Sequence, residues 1–195
     1  MGLLKHRMAI VLLCAAVFLF AVFLVAGSGL AENQAESAGV QAEEMLDPAL
    51  ETYGWFCGEP MDCGEPVTIE GVECRVVTDP RFQTEEQLSS YVRSIFSDSI
   101  ADELLKNSPY FEESGVLWYR VPPTLKQVPF SSQDVQISKS FTTVTYQSDD
   151  RFEYTVTVSY SPVDHPQETV KTEDYSFVCE KVDDEWVFTQ FEYFL

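Results

Sequence analysis

From residue 135 onward the chain alternates. In "RFEYTVTVSY", Phe152, Tyr154, Val156, Val158 and Tyr160 take turns with Glu153, Thr155, Thr157 and Ser159, the period-two pattern of a strand with one buried face. The neighbouring segments "VQISKSFTTVTYQ", "TVKTEDYSFVCEKV" and "EWVFTQFEYFL" read as strands too, separated by turns at Ser148-Asp149-Asp150, "SPVDHPQ" and Asp183-Asp184. Four consecutive strands with short links predict an antiparallel meander. Upstream the period is helical. Thr84 followed three residues later by Gln87 is a capping-box signature, and Leu88, Tyr91, Val92 and Ile95 then recur at helical spacing over about 84–95. Ser97 or Asp98 caps a second helix carrying Ile100, Leu104 and Leu105, which stops before Asn107-Ser108-Pro109. "ECRVVT" at 73–78 and "VLWYRV" at 116–121 read as further strands, and Pro122-Pro123 and Pro129 then interrupt regular structure. The expected fold class is α+β: an amphipathic helix pair packed on a curved antiparallel β-sheet meander.

The chain opens "MGLLKHRMAIVLLCAAVFLFAVFLVAGSGLAEN", where Lys5, His6 and Arg7 precede an uncharged apolar run from Met8 to about Gly29. This is the pattern of an export signal. The run exceeds the roughly 7–15 apolar residues of a cleaved signal core and reaches the roughly 20 that span a bilayer, while Gly29-Leu30-Ala31 offers a signal peptidase small residues. Residues 1–31 therefore fit a signal peptide or an N-terminal membrane anchor. Either way the basic flank stays in the cytoplasm and the rest is extracytoplasmic, membrane-anchored or secreted. Cys14 follows bulky Leu13 deep in the run and reads as an ordinary apolar position, not a lipid attachment site. Residues 32–45 read as an acidic tether, with one helical turn at most in "ENQAESAGVQAEEMLDPAL" at 32–50, and 46–195 as a single α+β extracytoplasmic domain.

Charge narrows the partners. Past Ala31 the chain has 10 basic and 32 acidic residues, a net charge of −22. Such a surface repels nucleic acid and anionic lipid heads and attracts basic partners. Solubility alone is the plainer explanation of the same charge.

The exported part carries Cys57, Cys63, Cys74 and Cys179. An even count in an oxidising compartment points to two disulfides, for which three connectivities exist. The expected set closes the short Cys57–Cys63 loop, with Gly58 and Pro60 inside it, and joins Cys74 to Cys179. That second bridge would enclose over a hundred residues and stabilise by about 4–5 kcal/mol in the chain-entropy model. A zinc site wants C-x2-C repeats and a thioredoxin-type centre wants C-x-x-C, and neither spacing occurs.

No catalytic set is visible. His165, the one histidine past the leader, sits between Asp164 and Pro166 in a turn, and the cysteines that could pair with it have the disulfide reading. Adjacent acids such as Glu85-Glu86, Glu112-Glu113, Asp149-Asp150 and Asp183-Asp184-Glu185 read as turns and solvated faces, and no calcium-loop pattern or nucleotide loop is present. The expectation is a protein that is not an enzyme and needs no cofactor or metal. Aromatic residues carry more information. Tyr53, Trp55 and Phe56 precede the cysteine loop, Tyr110 and Phe111 follow the helix pair, and Trp118-Tyr119 precede the prolines. Most belong in the core, and an exposed one within an acidic rim would suit protein binding.

The stretch "RVVTDPRFQTEEQLSSYVRSIFSDSIADELLKNSPYFEESGVLWYRV" carries a resemblance. A strand, a "TDxRF" entry, a helix reading "LxxYxxxIFS", a second ending "ELL", then "YFEExGVLW" and a meander ending "WVFTQF" are together similar to the IseA-type DL-endopeptidase inhibitors, exported proteins of Gram-positive bacteria. The likeness runs from about Tyr53 to Phe191. It implies an α+β domain that binds the papain-like, NlpC-type catalytic domain of a cell-wall endopeptidase, occludes its cleft and restrains peptidoglycan cleavage. The cysteine set and the long leader depart from the family pattern, which puts in doubt any contact made near the bridged segment. No inhibitory residue carries across by motif. Tyr110, Phe111, Glu112 and Glu113 are candidate contacts chosen for exposure and charge. Two other readings stand beside this one: a cystatin-like cone with a small-molecule or enzymatic pocket, and a structural or sensory ectodomain tethered to the membrane.

Overall fold

In the computed structural model the described residues are 41–122 and 135–194, without the side chains of 135 and 141–147. The leader, residues 32–40 of the tether and the segment 123–134 lie outside them. In chain order the elements are α1 (41–57), β1 (Cys63–Ile69), β2 (Val72–Val77), α2 (Glu85–Ile95), α3 (Asp98–Lys106), β3 (Tyr110–Glu113), β4 (Val116–Arg120), β5 (Val135–Ser148), β6 (Arg151–Pro162), β7 (Lys171–Val182) and β8 (Glu185–Gln190). They form an α+β fold with two antiparallel four-stranded sheets, a small one in the order β1-β2-β4-β3 and a large one in the order β5-β6-β7-β8.

The large sheet is the expected meander. Phe152, Tyr154, Val156, Val158 and Tyr160 of β6 are all buried, so the alternation in sequence is an alternation of faces. Their partners on β7 include Cys179 beside Phe152 and Phe177 beside Tyr154. Residues opposite one another share a face, so Phe177 and Cys179 extend the buried surface toward Phe188 of β8, which pairs with Cys179.

The helix pair closes that face. Thr84 caps α2, its hydroxyl accepting the Gln87 N–H at 3.2 Å, while the Gln87 side chain accepts the Gln83 N–H at 2.7 Å, one residue earlier than the ideal capping box. Leu88 and Val92 are its buried residues, and Ala101 and Leu104 those of α3. Arg93 braces the two helices across their connection, reaching Asp98 at 2.7 Å and Asp102 at 2.5 Å. At the junction Phe96 bridges to Phe188, and the Ser97 N–H donates to the Phe188 carbonyl at 2.9 Å. This bond occupies the otherwise open edge of β8.

Two parts of the fold depart from the sequence reading. The first is α1, a helix over 41–57 where a tether with one turn is expected up to residue 50. Ala42, Leu46, Ala49 and Leu50 are each at most 2% exposed and fall on one helical stripe. The helix continues through Pro48, whose carbonyl accepts the Thr52 hydroxyl at 2.7 Å, and Gly54 leaves room for Tyr193, whose hydroxyl lies 2.9 Å from where a Cβ would stand. The second is the small sheet. The sequence marks β2 and β4 but not β1 or β3. In β1 no residue is fully buried, so no alternation shows, and β3 is only four residues long.

Three hairpins turn on two residues in the left-handed region. Glu70-Gly71 and Ser114-Gly115 place glycine second, whereas Asp183 (φ 50) and Asp184 (φ 68) join β7 to β8 without one. Asp184→Gly is expected to raise stability by roughly 0.5–1 kcal/mol, as relief of the left-handed strain outweighs the added chain entropy. In the core, Phe188→Ala is expected to cost about 3–5 kcal/mol, since Phe188 is fully buried against Phe96, Tyr154, Phe177 and Phe191. Urea denaturation followed by circular dichroism checks both.

Candidate functional site

The four candidate contact residues do not form one patch. Strand alternation sends Tyr110 inward, where it is 3% exposed, its ring against Phe56 and its hydroxyl accepting the Met61 N–H at 3.1 Å. Burial pushes its phenol pKa up. Tyr110 is thus a core residue. Glu112 is exposed but engaged: the Glu85 N–H donates to its carboxylate at 3.2 Å, and its own N–H donates to the Glu85 carboxylate at 3.1 Å. That reciprocal pair places an anion at the start of α2 and covers the outer edge of β3. Phe111 and Glu113 face the other way.

Register defines the face they share. Val67 lies opposite Cys74 and Cys74 opposite Arg120; Val76 lies opposite Trp118 and Trp118 opposite Phe111; Ile69 lies opposite Val72 and Glu113 opposite Val116. These residues alternate with Tyr110, Leu117 and Tyr119, which are buried on the inner side. The outer face of the small sheet is therefore largely apolar and partly open to solvent: Val67, Val72 and Val116 are exposed by 43%, 39% and 38%, Phe111 and Trp118 are half-buried, and Cys74 is buried among its neighbours. The Arg120 guanidinium lies over the Phe111 ring, 5.1 Å from its centroid.

A second cluster surrounds Arg81. Its guanidinium makes bonds of 2.7 to 3.1 Å to Asp79 and one of 3.1 Å to Glu51 of α1, and lies 5.2–5.8 Å from the ring centroids of Trp55, Phe82 and Tyr91. The hydrogen bonds from Arg81 hold the Asp79 carboxyl below the usual aspartate range, against the opposing effect of burial. A shallow depression of about 500 Å³ opens beside it, lined by Phe82, Glu86, Gln87, Ser90 and Tyr91. With its guanidinium bound to two carboxylates and packed on rings, Arg81 acts as a clasp joining α1, the β2–α2 link and α2.

Cys63, Cys74 and Cys179 are thiols in the structure. Cys57 ends α1 and Cys63 begins β1, both half-buried on either side of a short turn. Burial pushes the Cys63 thiol up, partly offset by Arg75. Cys74 lies in the small sheet and Cys179 in the large one, exposed by 2% and not at all. Burial raises the Cys179 thiol strongly. His165 is in the β6–β7 turn, beside Asp164 at 3.8 Å. Among the described residues no three His, Cys, Asp or Glu side chains converge to hold a metal ion.

No known protein-family model matches the chain, and no curated protein matches it. The apolar face went unseen in the sequence because it spans four strands, two of them unmarked there. The one signal in the sequence was the aromatic pairing of Phe111 and Trp118.

The Asp79 pair gives a pH prediction. A depressed folded pKa contributes stability that is present above the ordinary aspartate value, near 3.8, and is lost as pH falls through the folded value. Asp79→Asn is therefore expected to be less stable than wild type at neutral pH, with the gap closing as pH drops below 3.8. Denaturant midpoints measured from pH 7 to pH 2 check this; a gap that does not change with pH refutes it.

Proposed function

We propose that the protein is a non-enzymatic extracytoplasmic binding module that restrains a cell-wall DL-endopeptidase by covering its papain-like catalytic cleft. The observation that carries this reading is the open apolar face of the small sheet, Val67, Val72, Val116, Phe111 and Trp118, on a chain of net charge −20. Occlusion needs such a face and no catalytic residue of its own. The resemblance of residues 75–121 and of the final meander to the IseA-type inhibitors supports the choice of target. Acidic charge supports it too, by steering the domain toward a basic enzyme surface.

The cystatin-like pocket reading would need a deep cavity between helix and sheet. That space is filled: Phe96, Phe177, Phe188 and Phe191 meet there with centroid separations of 5.1 to 6.1 Å. Among the described residues this filling supports the binding module over the pocket.

The full-length protein is expected to halt peptidoglycan cleavage by a papain-like DL-endopeptidase of the same organism near equimolar ratio. Inhibition should weaken as salt rises and screens the rim charges. Well-folded protein that neither binds nor slows such enzymes would overturn the reading and leave a structural or sensory ectodomain in its place.

A further inference from the structure

We propose that the outer face of β1-β2-β4-β3 is itself the docking surface, and that its partner presents an apolar patch containing one carboxylate and ringed by basic residues. This rests on the binding reading above. Of the six large hydrophobic residues most exposed among those described, Val67, Val72 and Val116 share this one face, while Val163 and Val170 lie in the β6–β7 connection and Val182 at the end of β7.

The edges of the small sheet point to its face as the contact. At one edge the Glu85–Glu112 pair covers β3. At the other, Ile69 and Val72 close a two-residue hairpin, so the backbone groups of Thr68 and Pro66 turn away from β2. The opposite strand agrees: Glu73, paired with Thr68, gives its carbonyl to the Val121 N–H at 3.0 Å on the far side. Pro66 has no N–H to offer, and the register shifts between Cys63 and Pro66, so β1 is a poor template for an added strand.

Charge selects the occupant. Arg75, Arg81, Arg93 and Arg151 each pair with a carboxylate, whereas Arg120 has no ion pair among the described residues. An unpaired guanidinium on an apolar face calls for an acidic group on whatever covers it. Glu113 is exposed at the opposite end of β4 from Arg120, paired with Val116, and Glu70 is exposed at the β1–β2 turn, so acids at the margins of the face suit a basic rim. A second copy of the chain is disfavoured, since past Ala31 each copy carries 10 basic and 32 acidic residues, a net −22.

The test uses the full-length protein and, as probe, the papain-like catalytic domain of a DL-endopeptidase from the same organism, read by inhibition and by binding. Val116→Asp and Arg120→Glu, both at exposed positions, are expected to keep the wild-type melting temperature and to weaken inhibition about tenfold or more. Val163→Asp, in the β6–β7 turn, should inhibit as wild type does. If wild type inhibits and both face variants inhibit equally well, the docking surface is wrong and the inhibitor reading stands. If wild type does not inhibit, the function is wrong and the docking proposal falls with it.

Discussion

The last turn of α1 is aromatic on every side, and that is the constraint the rest of the structure satisfies. Tyr53 stacks on Phe191 and Tyr193 at 5.3 Å and meets Phe96 edge-on at 6.1 Å. Trp55, turned about 200° away along the helix, packs on Phe82 and Tyr91 at 5.4 and 5.8 Å. Phe56, at a third angle, meets Tyr110 at 5.8 Å. Rings pointing at three angles from one turn are buried only if that turn is enclosed on all three sides. Enclosing this one brings together the end of the large sheet, the helix pair and the small sheet, each contributing rings whose contacts are worth about 0.5–1.5 kcal/mol beyond their buried area. Charges follow the same plan, with Glu51 reaching Arg81 and Asp47 reaching Lys139 of β5.

That enclosure is one-sided for each sheet, with unequal results. On the large sheet Phe152, Tyr154, Phe177 and Phe188 are consumed by the core. On the small sheet the inner face is sealed by Tyr110, Leu117 and Tyr119. The polarity of the other side then decides what it can do. Sheet faces turned to water usually carry polar residues at alternate positions. Here the outward positions of β2 and β4 that reach solvent are Val72, Val76, Val116, Trp118 and Arg120, with Cys74 buried among them. Burying such a face in a complex returns roughly 25 cal/mol for each Å² of apolar surface removed from water, before association costs are subtracted.

Much of this was legible in the sequence wherever a segment declares itself alone. The strands β5 to β8 show their period, their turns carry acids or proline, and α2 announces its cap at Thr84; all were placed within a few residues. What failed was anything defined by its neighbours. Pro48 and Gly54 break the helical pattern of 41–57, yet the helix holds because its stripe from Ala42 to Leu50 is buried. In β1 the sequence "CGEPVTI" offers no buried face to count, and its pairing with β2 is fixed by the Glu70-Gly71 turn instead. Exposure failed for the same reason. Tyr110 and Phe111 are adjacent aromatics with the same local chemistry, and only the register with Tyr119 and Trp118 sends one into the core and the other to the surface.

On the docking proposal, charge and apolar surface of the small sheet act over different distances. The excess of acids works through water, over the 8–10 Å that physiological salt allows, and so governs how often a basic partner arrives. The apolar face works only on contact and governs how long the partner stays. Arg120 adds a condition to the second step. Held over Phe111, it sits among groups that a docked partner would strip of water. A guanidinium desolvated without an acceptor costs more than the surrounding apolar contacts return at its position, so a partner lacking a carboxylate there is rejected even when its shape and rim charge fit. Under that proposal discrimination would come from one cation whose desolvation must be matched, on a chain where every other described arginine is already paired.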